Sequence, residues 1–133
     1  LDEALTLLND DWFAEARLLV IKLYETLQLR PNQALLFLHE KWMANFSERD
    51  QLEIGLDLLL YIYRDMLYAQ LQREEDIVFT DQLELIKRQA LQTTQHRIVD
   101  QLSFIIQSKS RLASNVNAHL LMEQIALNLQ EGY

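Results

Sequence analysis

The chain has 133 residues, half of them apolar, with two glycines, one proline and no cysteine. That length suits one domain that buries its own core without staples, and the composition points to an all-helical protein with no disulfide scaffold, thiolate metal site or cysteine nucleophile. The net charge of −8 is uneven, with seven Lys/Arg against seventeen Asp/Glu in residues 1–85 and five against three in residues 86–133, a balance that argues against a grip on nucleic-acid phosphates.

Leu1, Ala4, Leu5 and Leu8 recur at helical spacing from the first residue. They predict a short helix or the end of a longer one, in a piece of a longer cytoplasmic protein. Leu1-Asp2-Glu3 carries neither a basic region nor an initiator methionine and does not read as a signal peptide. Asn9, Asp10 or Asp11 can cap a second helix through Trp12, Ala16, Leu19, Leu23 and Leu27. Pro31 suits the first turn of a third, with Leu35, Leu38 and Trp42 on one face. Ser47-Glu-Arg-Asp50 resembles a capping box with Asp in place of Glu or Gln, and opens the longest helix, to about Gln72.

From Ile54 to Leu71 that helix is apolar nearly all round, so it belongs in the middle of the fold, and Gly55 permits a close crossing. Arg64 and Asp65 interrupt it. Three and four positions from Arg64 stand Leu60, Tyr61, Leu67 and Tyr68, none acidic; around Asp65 stand Tyr61, Ile62, Tyr68 and Ala69, none basic. Each charge is therefore expected to find its partner on another helix, in water or on another subunit, and to hold helices in register.

Gln72 to Asp76 is a polar break. Thr80 is placed to cap a helix to about Leu91, and Thr93 or Thr94 another to about Ala113. The last helix is expected to begin at Val116, with Asn115 capping it and Gly132 ending it. At about 100° per residue, Ala118, Leu121, Met122, Ile125 and Leu129 share one face. Val116, Leu120 and Leu127 form a narrower strip roughly opposite, edged by Glu123. One face can pack on this domain's core; the other needs more of the same domain or another chain. No strand alternation or repeat appears, so residues 1–133 read as one compact bundle of about six to seven helices.

Catalytic motifs are missing. Two isolated glycines cannot build a phosphate loop, and there is no Gly-x-Ser-x-Gly elbow, His-Glu-x-x-His or Glu-x-x-His. His39, His96 and His119 fall on separate helices without ligand spacing, which predicts surface or boundary histidines and no metal. The segment from Thr80 to Ser108 superficially suggests a helix-turn-helix, but Ile98, Val99, Leu102, Phe104, Ile105 and Ile106 read as core rather than a groove-reading surface.

Tyr61-Ile-Tyr-Arg64-Asp65-Met-Leu67, then Thr80-Asp81-Gln82-Leu83, then Asn115-Val-Asn117-x-x-Leu120-Leu-x-Glu123 resembles the C-terminal domain of delta-prime subunits of bacterial DNA polymerase III clamp loaders. The resemblance runs from about Trp42 to Gly132. It implies a helical collar domain following two AAA+ modules, in a family where five C-terminal domains join into a collar while the modules use ATP to open the sliding clamp and place it on primed DNA. It also implies gamma/tau and delta subunits as partners, no catalysis and no cofactor in this part of a polymerase holoenzyme, and no contact with nucleic acid, membrane or small-molecule substrate. On that reading Val116, Leu120, Glu123 and Leu127 are candidate interface residues, and Arg64, Asp65, Asn115 and Asn117 are structural. Two alternatives stay open: the equivalent collar domain of gamma/tau, and a ligand-binding regulatory domain with a pocket lined by Trp42, Tyr61, Tyr63 and Tyr68.

Overall fold

A computed structural model describes residues 10–114 and 117–130. The helix expected over Leu1–Leu8, and Asn115, Val116 and Gly132, lie outside them. Within the described residues the fold is all-α. Helix α1, Asp10–Leu29, buries Ala16, Leu19, Val20, Leu23, Tyr24 and Leu27 along one stripe. Helix α2, residues 31–45, opens with a 3-10 turn at Pro31, continues as α-helix over Ala34–Phe37, widens into a π turn at Leu38–Trp42 and closes over Met43–Asn45. It buries Ala34, Leu38 and Trp42, and its end is tied down by the Trp12 indole N–H, which donates to the Asn45 carbonyl at 3.1 Å.

Helix α3, Arg49–Gln70, is the central element. It packs on α1, on α4 (Leu83–Ala90) and on α5 (Gln95–Leu112); α6 (Ala118–Gln130) lies on α5 and also meets α1 and α2. The capping box sits one residue later than the sequence suggests. Glu48 is the cap, and the Gln51 side chain accepts its N–H at 3.1 Å. Ser-Glu-Arg-Asp and Glu-Arg-Asp-Gln both offer polar groups three apart, and the glutamine reaches further back than Asp50 can.

Gly55 faces an aromatic wedge formed by Trp42 and Phe46, whose ring centroids lie 4.2 Å apart, with Trp12 edge-on to Phe46 at 5.6 Å. A Cβ at Gly55 would lie 2.9 Å from Phe46 Cε1 and 3.1 Å from Trp42 Cζ2. Both rings are fully buried, so making room would displace their own core neighbours. In Gly55→Ala the gain in helix propensity, about 0.8–1 kcal/mol, opposes an overpacking cost of about 1–3 kcal/mol. A net loss of about 1 kcal/mol is expected in urea melts, whereas an exposed helical glycine would gain.

After α3 the chain turns at Gln72, which takes a left-handed φ of 59°. Arg73 N–H donates to Tyr68 O at 2.9 Å and Gln72 N–H to Ala69 O at 3.2 Å, the two bonds of a Schellman stop. The helix expected from Thr80 begins as a 3-10 turn, Thr80–Gln82, and becomes α4 at Leu83. Thr94 caps α5, its hydroxyl accepting from Arg97 N–H at 3.1 Å.

Side chains on one helix satisfy carbonyls at the end of another. Gln70 donates to Ala90 O at 2.8 Å and to Thr93 O at 3.0 Å, after α4. Arg97 and Gln101 on α5 donate to Asn128 O and Leu129 O near the end of α6, at 2.8 and 3.1 Å. These bonds fix helix ends that would otherwise leave carbonyls open. Lys109 on α5 and Asp57 on α3 form a further ion pair. No helix among the described residues is long and apolar enough to cross a membrane.

Candidate interaction surface

Helix α6 starts at Ala118, two residues later than expected, and its cap is Asn117. The Asn117 side-chain oxygen accepts the Leu120 N–H at 3.0 Å, and its carbonyl accepts from Leu121. From that start, Leu121, Met122, Ile125 and Leu129 turn inward and are buried, joined by Ala126, with Ala118 partly covered against the same core. On the other side Leu120 is 53% and Leu127 42% exposed. They are seven residues apart, hence on one face.

Glu123, at the edge of that strip, is engaged within the chain. Its Oε2 lies 3.0 Å from Nε2 of His39 on the π turn of α2 and 3.4 Å from Nε2 of His119, one turn back on α6. The two imidazole rings lie 4.6 Å apart, centroid to centroid. The histidines are surface or boundary residues, as expected, and have no ligand spacing in the sequence, but the fold brings two of them to one carboxylate. His119 and Glu123 stand at i and i+4, a readable signal; His39 arrives only through the packing of α2 on α6. His96 stays apart, paired with Asp100 on its own helix at 3.4 Å.

A second apolar face lies on α5. Val99 and Ile106, expected in the core, point outward, while Ile98 and Ile105 are fully buried. Helix α5 packs chiefly on α3 and α6, and within the described residues its outer face has no cover.

Asp65 and Arg64 serve different ends. The Asp65 carboxylate is fully buried and accepts the Phe79 N–H at 2.8 Å and the Val78 N–H at 3.1 and 3.2 Å, tethering the segment between α3 and α4. Burial pushes its carboxyl above the ordinary carboxylate range, against the opposing pull of those N–H groups and of Arg64. Phe79 is buried beside it, with the Arg17 guanidinium 4.8 Å over its ring. Arg17 also grips Asp81 through two bonds of 3.0 and 2.5 Å, and that hydrogen-bonded partner holds the Asp81 carboxyl below the ordinary range.

Among the described residues Arg64 makes no such inter-helix tie. Its guanidinium lies 4.8 Å over Tyr61 and 5.3 Å over Tyr68, three before and four after it on α3. Its closest partners among the described residues are on its own helix, where two aromatic faces receive the charge in addition to its pull on the Asp65 carboxylate.

The aromatic pocket of the regulatory-domain alternative does not form. Trp42 and Tyr63 are fully buried in the core, Tyr63 edge-on to Tyr24 at 5.5 Å, and Tyr61 and Tyr68 carry Arg64. An open groove between α1 and α2, about 430 Å³, is lined by Leu19, Leu36 and Phe37 together with charges of both signs, and by none of those four aromatic residues.

The family described as "DNA polymerase III, delta subunit, C terminal" matches residues 13–131. DNA polymerase III subunit delta' of Bacillus subtilis (strain 168) is 45% identical over 130 residues, which is 98% of this chain and 40% of that protein. The chain thus spans about two-fifths of the length of the curated relative it matches. No solved structure matches. Both matches are to delta-type subunits rather than gamma/tau, and the chain belongs to the family formed by the C-terminal domains of DNA polymerase III delta subunits.

Proposed function

We propose that this domain is the collar element of a clamp-loader delta-prime subunit. It joins that subunit to neighbouring gamma/tau and delta subunits, so that AAA+ modules elsewhere in the assembly can use ATP to load the sliding clamp during chromosomal replication in the cytoplasm. The domain itself performs no catalysis on this reading, and no nucleic acid, nucleotide or small-molecule substrate is assigned to it.

The observation that carries the proposal is the division of α6 into a buried strip and an opposite strip, Leu120 and Leu127, left open to solvent. Exposed apolar strips on a domain whose described residues already bury a core suit contact with another protein. Val99 and Ile106 on α5 supply a second such strip, and a subunit held within a ring has two neighbours. Family membership and the 45% identity to a delta' subunit supply the partner class.

The test uses the full-length subunit with and without this domain, mixed with gamma/tau and delta and resolved by size-exclusion chromatography. Co-elution that disappears with the domain is expected. Assembly that proceeds equally well without it would contradict the proposal.

A further inference from the structure

We propose that His39, His119 and Glu123 form a binding site for one first-row divalent cation, with Zn²⁺ the best fit, which clasps α2 to α6. Their candidate ligand atoms all lie within 4.8 Å of one another. The two Nε2 atoms converge on the same carboxylate oxygen, at 3.0 and 3.4 Å. Zinc–nitrogen and zinc–oxygen bonds of about 2.0–2.2 Å in a tetrahedron set neighbouring ligand atoms about 3.3 Å apart. The two histidine–carboxylate separations bracket that value, and the histidine-to-histidine separation stays within 4.8 Å, so a cation enters by drawing the two imidazoles together.

The donor chemistry is that of an open site. Two imidazoles and one carboxylate give three protein ligands and leave a fourth position for water or for a donor from another molecule. Imidazole selects Zn²⁺, Cu²⁺ or Ni²⁺ over Mg²⁺ and Ca²⁺, which prefer all-oxygen sets. The histidine side chains are 47% and 44% exposed, so the site has an entry path, while Glu123 is more covered at 29%. The π turn at Leu38–Trp42 also contributes. Such turns shift the helical register locally and recur at functional sites; this one contains the residue that completes the set.

The pair His96 and Asp100 provides an internal control. It has the same i, i+4 spacing and a 3.4 Å separation, but its histidine side chain is 89% exposed, and no third donor is grouped with it among the described residues. If spacing on one helix were enough, both places would bind equally.

The experiment is isothermal titration of the 133-residue chain with zinc sulfate, paired with thermal melts. One Zn²⁺ per chain is expected, with binding at least tenfold weaker in His39→Gln, His119→Gln and Glu123→Gln and unchanged in His96→Gln. Zinc at a hundred times its Kd is expected to raise the wild-type Tm by about 5–10 °C, reversibly on addition of EDTA. Circular dichroism of each metal-free variant checks that it is folded, as substitution of partly exposed side chains allows. Absence of binding to the wild type, or equal binding to His39→Gln, would overturn the proposal. The readout involves no other protein and is independent of the collar reading.

Discussion

Ile125→Asp is expected to unfold the domain. Ile125 is fully buried on the inner face of α6, among Leu121, Met122, Ala126 and Leu129, where the helix meets α5, α1 and α2. The substitution forfeits about 1.5–3 kcal/mol of apolar burial and puts a carboxylate into a site without a partner. A combined loss above about 5 kcal/mol approaches the whole stability of a domain this size. Loss of the far-UV helical signal at 25 °C is the expected result. A cooperative melt within a few degrees of wild type would show that α6 is peripheral to the core.

Asp65→Ala is the second large effect, expected at about 2–4 kcal/mol. It strips the acceptor from the buried Phe79 N–H, at about 1–3 kcal/mol for a buried donor left open, and from the part-buried Val78 N–H, which costs less because water reaches it. Relief of the desolvated carboxylate offsets part of this. The damage should be local first: hydrogen exchange at Val78 and Phe79 is expected to accelerate at least tenfold, with α5 changed much less. Asp65→Asn keeps one acceptor oxygen and is expected to cost less. Two carboxylates should also respond oppositely to pH. The folded-state value of Asp65 is raised, so its contribution to stability falls as pH rises from its unfolded value through the folded one. That of Asp81 is lowered, so its favourable contribution is present above the unfolded value and is lost as pH falls through the folded one. Asp65→Asn should therefore flatten the first slope and Asp81→Asn the second.

Periodicity makes much of this fold legible. The stripe Ala16, Leu19, Leu23, Leu27 defines α1, the all-round apolar run places α3 at the centre, and Thr94 marks the start of α5. What stays hidden depends on tertiary packing. His39 and His119 are eighty positions apart, and no local pattern announces that a π turn will aim one at the other. Val99 and Ile106 read as core in the sequence because apolar content alone does not say how many neighbours a helix has. Arg64 differs for another reason: two tyrosine faces at helical spacing serve a guanidinium as well as a carboxylate would, and a count of opposite charges passes over them. The outer strip of α6 is legible as a periodicity, and its two described leucines lie at the surface.

The opposed roles of the two faces of α6 are tested most directly by Leu120→Asp in the full-length subunit, read by thermal melt and by affinity for gamma/tau and delta. Leu120 is more than half exposed, so its replacement should shift stability by no more than about 0.5 kcal/mol, as for most surface positions. At an interface the same leucine contributes about 1.5–3 kcal/mol of burial, and its loss should weaken assembly tenfold or more. The expected result is an unchanged melt with at least tenfold weaker binding. A melt as severely lowered as that of Ile125→Asp, or full binding by the folded variant, would contradict it.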